Sequence, residues 1–263
     1  MLLMQQQELG VVSDLFPIGN NITGAFSFQK VNPSYTGYCC QIKRDSDSST
    51  LDISFVSGVV DTASISTFCS GTTGRIQIWY NQDGSANHLK GIDARPLPII
   101  YASGSVVTRN GNVAIDMKSS NMIFNGYLVS INIGSTFSVI YDELSGATPH
   151  CLPLGTRTPA IVIGFMTNGS GDDPTIGAWS DDAYYKNGTE IVSATRNDLF
   201  DGFVIDDTVL ATVETSTNYV QRAINYNHTS NSSNMFLSEL IVTDGLPWDK
   251  SFVENNIMSR YSI

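Results

Sequence analysis

Apolar residues in this chain come in short alternating runs that stop at glycine-containing turns, a pattern that leaves little room for anything but a fold of many antiparallel strands. In the run Arg75-Ile-Gln-Ile-Trp-Tyr80, Ile76, Ile78 and Tyr80 alternate with Gln77, Trp79 and Asn81, the period of a half-buried strand. Asn81-Gln-Asp-Gly84 then ends it, because Gly accepts the positive φ that a sharp turn requires. Asn110-Gly111 lies between Val106-Val107 and Val113/Ile115, and Asn187-Gly188 lies between Tyr184-Tyr185 and Ile191. Asn-Gly between apolar runs predicts a two-residue hairpin. Further strands are expected around 38–44, 51–55, 127–141, 209–213, 219–226 and 235–242, with a central one over the apolar run 160–166.

Two helices interrupt this pattern. Asp61 is a good N-cap for one or two turns over 62–69. Near the C-terminus, Ser251-Phe-Val-Glu254 fits a capping box. Val253, Ile257, Met258 and Tyr261 then share one face of a helix of about three turns. With 263 residues, the size favours an all-β sandwich of two large antiparallel sheets over a small immunoglobulin-like domain. Residues 1–20 have no period of their own and read as an N-terminal arm for docking or oligomerisation, followed by one domain over 21–263.

The net charge is −11, and no Lys/Arg cluster breaks it, so a nucleic-acid partner is not expected. No apolar run reaches membrane-spanning length, and Met1-Leu-Leu-Met-Gln lacks the basic start and cleavage site of a secretory signal. Synthesis in a cytoplasm without export by a signal peptide is expected. The four cysteines, Cys39, Cys40, Cys69 and Cys151, lack metal-site spacing. They are expected to be free thiols, with Cys39 and Cys40 on opposite strand faces.

Several segments share one order and spacing with a known family: Gly24-Ala-Phe-Ser-Phe, Ser34-Tyr-Thr-Gly37, Gln41-Ile-Lys-Arg44, Val60-Asp-Thr-Ala63, Phe68-Cys69 and Trp79-Tyr-Asn-Gln-Asp-Gly84. The chain resembles the catalytic domain of the α-L-arabinofuranosidase B family, and its relatives in phage structural proteins more closely. The resemblance is good over 22–116 and fair over 235–263. It implies a concanavalin-like β-sandwich (jelly roll) with a short C-terminal helix. The motif Trp79, Tyr80, Asn81, Gln82, Asp83, Gly84 is expected to be structural. It departs from the family pattern, which has Asp where Asn81 stands and Ser where Asp83 stands. The fungal enzymes also bridge the cysteine at the Cys69 position to one a few residues later, where this chain has Thr73 or Gly74.

A glycosidase needs two carboxylates across the sugar. The resemblance implies an Asp acid shortly before the last strand, but 225–234 carries no carboxylate. The nucleophile region falls near Trp179-Ser-Asp-Asp182. On that basis the chain is expected to be a non-catalytic phage virion protein: a capsid decoration, head fibre or tail component. Its expected partners are other virion proteins through the arm, further copies of itself as a homo-oligomer, and host surface glycans. The alternatives are an α-L-arabinofuranosidase-type hydrolase and a true glycan-binding module. Trp179, Asp181, Asp182, Tyr184 and Tyr185 form the candidate sugar platform, an aromatic surface beside acidic groups, with ordinary strand packing as the competing reading. No cofactor or metal is expected. The paired acids at 172–173, 181–182 and 206–207 leave calcium open as an alternative to a solvated loop. His88, His150 and His228 show no ligand spacing.

Overall fold

The computed structural model describes residues 22–91, 96–117, 122–124, 129–131, 134–142, 150–155, 162–167, 183–192, 207–214, 219–221, 223–224, 235–245 and 249–263. Two antiparallel layers face each other. One is built on Thr50–Ile53, Cys40–Arg44 and Gly74–Trp79, hydrogen-bonded in that order. Gly74–Trp79 continues into Leu89–Gly91 at one end and Ile99–Ala102 at the other. The second layer runs Ile22–Ser27, Met235–Thr243, Ser135–Asp142, Thr208–Glu214, Ala183–Lys186. Ile115–Asp116 pairs with both Ile99–Ala102 and Met235–Thr243 and so joins the layers at one edge. The result is an all-β sandwich.

Alternation fills the space between the layers. Ile42, Ile53, Ile76 and Trp79 from the first layer meet Phe26, Ile140, Val213, Leu237 and Leu240 from the second. The second layer is buried on its outer side too. There Ala25, Phe137, Val139, Leu210 and Ile241 meet Val253, Ile257 and Tyr261 of the C-terminal helix Lys250–Tyr261. All nine residues of Met235–Thr243 are therefore buried, an interior strand between Ile22–Ser27 and Ser135–Asp142. The apolar run expected to form a central strand instead forms Val162–Thr167, which pairs with His150–Gly155.

The alternation of 75–80 breaks where the register shifts. Gln41 pairs with Ile78, but Ile42 pairs with Ile76, so Gln77 is an extra residue on its strand. The shift turns Trp79 inward, fully buried and stacked on Phe28 at 4.7 Å, and leaves Tyr80 on the outer side. The two Asn-Gly hairpins form as expected, with φ of 47° and 79° at Asn110-Gly111 and 49° and 76° at Asn187-Gly188. Asp61 caps Thr62–Phe68 through Ser64 N (3.0 Å). The second cap differs from expectation. Asp249 accepts from Phe252 N at 2.9 Å, and Glu254 binds Lys250 rather than closing a capping box with Ser251.

Cys39, Cys40 and Cys69 are free and buried. Cys39 precedes the strand that begins at Cys40, so both thiols enter the same inter-layer core instead of opposite faces. Burial, and then Cys40 beside it, pushes the Cys39 thiol well above its ordinary range. Gly74 leaves the room that Cys69 needs: a Cβ there would lie 2.4 Å from Cys69 Sγ. The arm, 1–20, lies outside the described residues.

Candidate functional site

The turn after Trp79 is a clamp built from side-chain amides. Asn81 and Gln82 are both fully buried. Asn81 Oδ1 accepts from Ala25 N at 2.7 Å and Asp83 N at 3.2 Å, and its Nδ2 donates to Thr23 O, Ser85 Oγ and Asn87 O. Gln82 Oε1 accepts from Val31 N at 2.9 Å, and its Nε2 donates to Ser27 O and Gln29 O, both at 3.0 Å. The two side chains thus satisfy the backbone where the chain leaves Ile22–Ser27, which buried peptide groups require. The donor contacts of Asn81 explain an amide where the family has a carboxylate. Asp83 and Gly84 complete the turn, with φ of 90° at Gly84. Asn81 and Gln82 are thus closed off from any ligand.

Tyr184 and Tyr185 were expected on one sugar platform with Trp179, Asp181 and Asp182. The last three lie outside the described residues. Tyr184 is buried in the inter-layer core. Tyr185, one residue on, faces the other way, as strand geometry demands. Its hydroxyl donates to Glu214 Oε2 at 2.8 Å, and the Lys250 ammonium sits 3.5 Å from its ring centre. Lys250 also pairs with the buried Glu254 at 3.0 Å. Burial first, and then the bond to Glu214, pushes the Tyr185 phenol well above its ordinary range, so it stays a hydrogen-bond donor. Its donation fixes one oxygen of a half-buried carboxylate in place.

Glu214 is a candidate group that sequence reasoning missed. It ends Thr208–Glu214, directly opposite Ala183, and Ala183 follows Asp181-Asp182 in the sequence. A pairing across 29 residues leaves no local signal. Glu239 is the other carboxylate brought in by a long strand, but it is fully buried. It accepts two bonds from Arg260, one from Ser27 Oγ at 2.6 Å and one from Tyr261 OH at 3.2 Å. No sugar could reach it, so it holds the fold. Among the described residues no group of three or more His, Cys, Asp or Glu could hold a metal ion, and no helix is long and apolar enough to cross a membrane. His88 lies against Tyr80, and the side chains of His150 and His228 lie outside what is described.

Comparison with known proteins bears on the fold and on the family resemblance. Residues 18–132 match the family model for the catalytic domain of α-L-arabinofuranosidase B. The Penicillium canescens α-L-arabinofuranosidase B is 39% identical over 95 residues, 32% of this chain and 20% of that protein. The Aspergillus oryzae enzyme is 50% identical over 58 residues, 21% of this chain and 12% of its own. A solved mutant of a GH54 arabinofuranosidase soaked with 4-nitrophenyl α-L-arabinofuranoside superposes with a TM-score of 0.60 at 21% identity, covering 90% of this chain and 62% of that one. An arabinofuranosidase complexed with arabinofuranosyl-α-1,2-xylobiose gives 0.57 at 20%, with the same coverage. The matched segments thus span about a fifth or less of the curated relatives, and the chain covers under two thirds of the solved ones.

These matches bear out the resemblance to arabinofuranosidase B and overturn the expectation of a non-catalytic phage virion component, whether capsid decoration, fibre or tail. That expectation rested on the missing carboxylate at 225–234. The family match ends at residue 132, so it never fixed where the acid falls.

Proposed function

We propose that this chain is a glycoside hydrolase that releases α-L-arabinofuranosyl groups. The observation that carries this reading is the match of residues 18–132 to an arabinofuranosidase catalytic domain. Glu214, oriented by the Tyr185 hydroxyl, supplies one carboxylate. Asp181 or Asp182, adjoining in sequence the residue paired with Glu214, supplies the other. In such a pair one group protonates the leaving oxygen while the other attacks the anomeric carbon or activates a water. The Tyr185 bond fixes one oxygen of Glu214 and leaves the other to point elsewhere, which suits the attacking role.

The test is release of 4-nitrophenol from 4-nitrophenyl α-L-arabinofuranoside. The wild-type chain should turn it over. Glu214→Gln should lower kcat by about 100-fold or more, as should one of Asp181→Asn and Asp182→Asn, the scale on which general acid–base groups act. A folded wild-type chain without turnover would sink the hydrolase reading. Unchanged turnover in Glu214→Gln would remove that residue from the mechanism.

A further inference from the structure

The outer side of the first layer carries a second constellation, unrelated to Glu214. Gln41 and Asp52 face each other across neighbouring strands. Gln41 Nε2 donates to Asp52 Oδ1 at 3.0 Å, and the Tyr80 hydroxyl donates to the same oxygen at 2.7 Å. Asp52 Oδ2 and Gln41 Oε1 are left as acceptors that no described residue fills. Two aromatic rings stand beside them. Tyr38 is 49% exposed, and its ring lies 6.3 Å from that of Tyr80 at 43°.

The patch is held in place from behind. Tyr35 OH donates to Tyr38 O at 3.0 Å, and Gly37 makes space for it, since a Cβ there would come within 2.3 Å of that hydroxyl. His88 meets the Tyr80 ring edge-on at 4.9 Å and 84°. Its Nδ1 accepts from Asn81 N at 3.1 Å, which puts the proton of the neutral ring on Nε2. Burial first, and then Lys90, lowers the His88 pKa, so the ring stays neutral and this tautomer persists.

An exposed tyrosine on a strand edge is ordinary. A locked tyrosine hydroxyl with two open acceptors next to two rings is less so. Aromatic faces take the C–H face of a sugar, and carboxylate and amide oxygens take its hydroxyl donors. Asp52 and the net charge of −11 oppose an anionic ligand. We infer that Tyr38, Tyr80, Asp52 and Gln41 form a surface subsite for a neutral polysaccharide. Gln41 and Asp52 alternate with core-facing Cys40, Ile42 and Ile53, and Tyr185 alternates with core-facing Tyr184. The subsite and Glu214 therefore lie on opposite outer faces of the sandwich, and the subsite tethers polymer instead of positioning the scissile bond. The choice of an arabinose-bearing polymer rests on the hydrolase reading; the binding chemistry needs only a neutral sugar.

The test is mobility in native gels containing soluble arabinoxylan, read beside aryl-arabinofuranoside turnover. Arabinoxylan should retard the wild-type chain. Tyr38→Ala and Gln41→Ala should each weaken that retardation about tenfold, an affinity change in the range of one lost ring or acceptor contact, and leave turnover of the small substrate unchanged. Polygalacturonate, an anionic polymer, should not retard it. Equal retardation of wild type and both variants, no retardation of the wild type, or equal retardation by the anionic polymer would each overturn the subsite. Retardation that depends on Tyr38, without any turnover, would sink the hydrolase reading alone.

Discussion

Arg260 grips Glu239 through two parallel bonds of 2.5 Å, Nη1 to Oε2 and Nη2 to Oε1, with the Arg side chain 6% and the Glu side chain 0% exposed. The pair ties the C-terminal helix to the buried strand Met235–Thr243. Cutting a buried pair leaves one charge without its partner, at about 3–5 kcal/mol. Arg260→Ala should therefore lower the stability to urea by roughly that amount. The double variant Glu239→Leu/Arg260→Leu should recover much of it. A single variant as stable as the wild type would refute the role given to this pair.

Gln82 should tolerate no apolar replacement. Gln82→Leu keeps a similar volume but leaves Val31 N and Gln29 O without this partner and Ser27 O with only Cys39 Sγ. An unsatisfied buried group costs about 1–3 kcal/mol, so a loss of about 2 kcal/mol or more is expected in chemical denaturation. A loss under ~1 kcal/mol would mean that water reaches these groups.

Gly74 and Cys69 should behave as one unit. Gly74→Ala puts a methyl 2.4 Å from Cys69 Sγ, and overpacking of this kind costs about 1–3 kcal/mol. Cys69→Ala removes the obstructing sulfur, so the double variant should be more stable than the sum of the two single changes predicts. Additive effects in a double-mutant cycle would rule out the contact.

Alkaline stability should be set largely by buried phenols. Burial first, and then the Glu239 charge, pushes Tyr261 well above its ordinary range, and burial pushes Tyr35 up to about 12. Because the folded pKa is the higher one, this contribution is complete below the unfolded value of about 10 and is lost as pH rises past it. The buried Cys39 thiol acts in the same way from its unfolded value of about 8.5, so denaturation midpoints should begin to fall there and fall more steeply above about pH 10. Tyr261→Phe should make that fall shallower. An identical slope in the variant would exclude Tyr261 as a contributor.

Where structure is local, the sequence announces it. Asn110-Gly111 and Asn187-Gly188 turn hairpins because their backbone needs are met by those residues alone, and Asp61 caps its helix through a backbone N–H three residues on. The errors arise where a partner strand decides. The inward turn of Trp79 depends on the shift opposite Gln41 and Ile42, which a two-residue period cannot reveal. Asp249, not Ser251, is the cap, because the helix begins two residues earlier than the capping-box pattern suggests. Of the candidate sites, Tyr185 was legible as a polar aromatic, but its partners Glu214 and Lys250 come from distant strands and helix. The Tyr80–Asp52–Gln41 contacts likewise exist only once three strands are laid side by side.

The pairing of Ile22–Ser27 with Met235–Thr243 also bears on how the fold is reached. The strand buried on both sides is flanked by one of the earliest described segments and by Ser135–Asp142, so the second layer cannot close until residue 243 has left the ribosome. Contacts of such long range make folding slow. For that interval the apolar side of the early strands has nothing to cover it, and aggregation at that stage competes with productive closure.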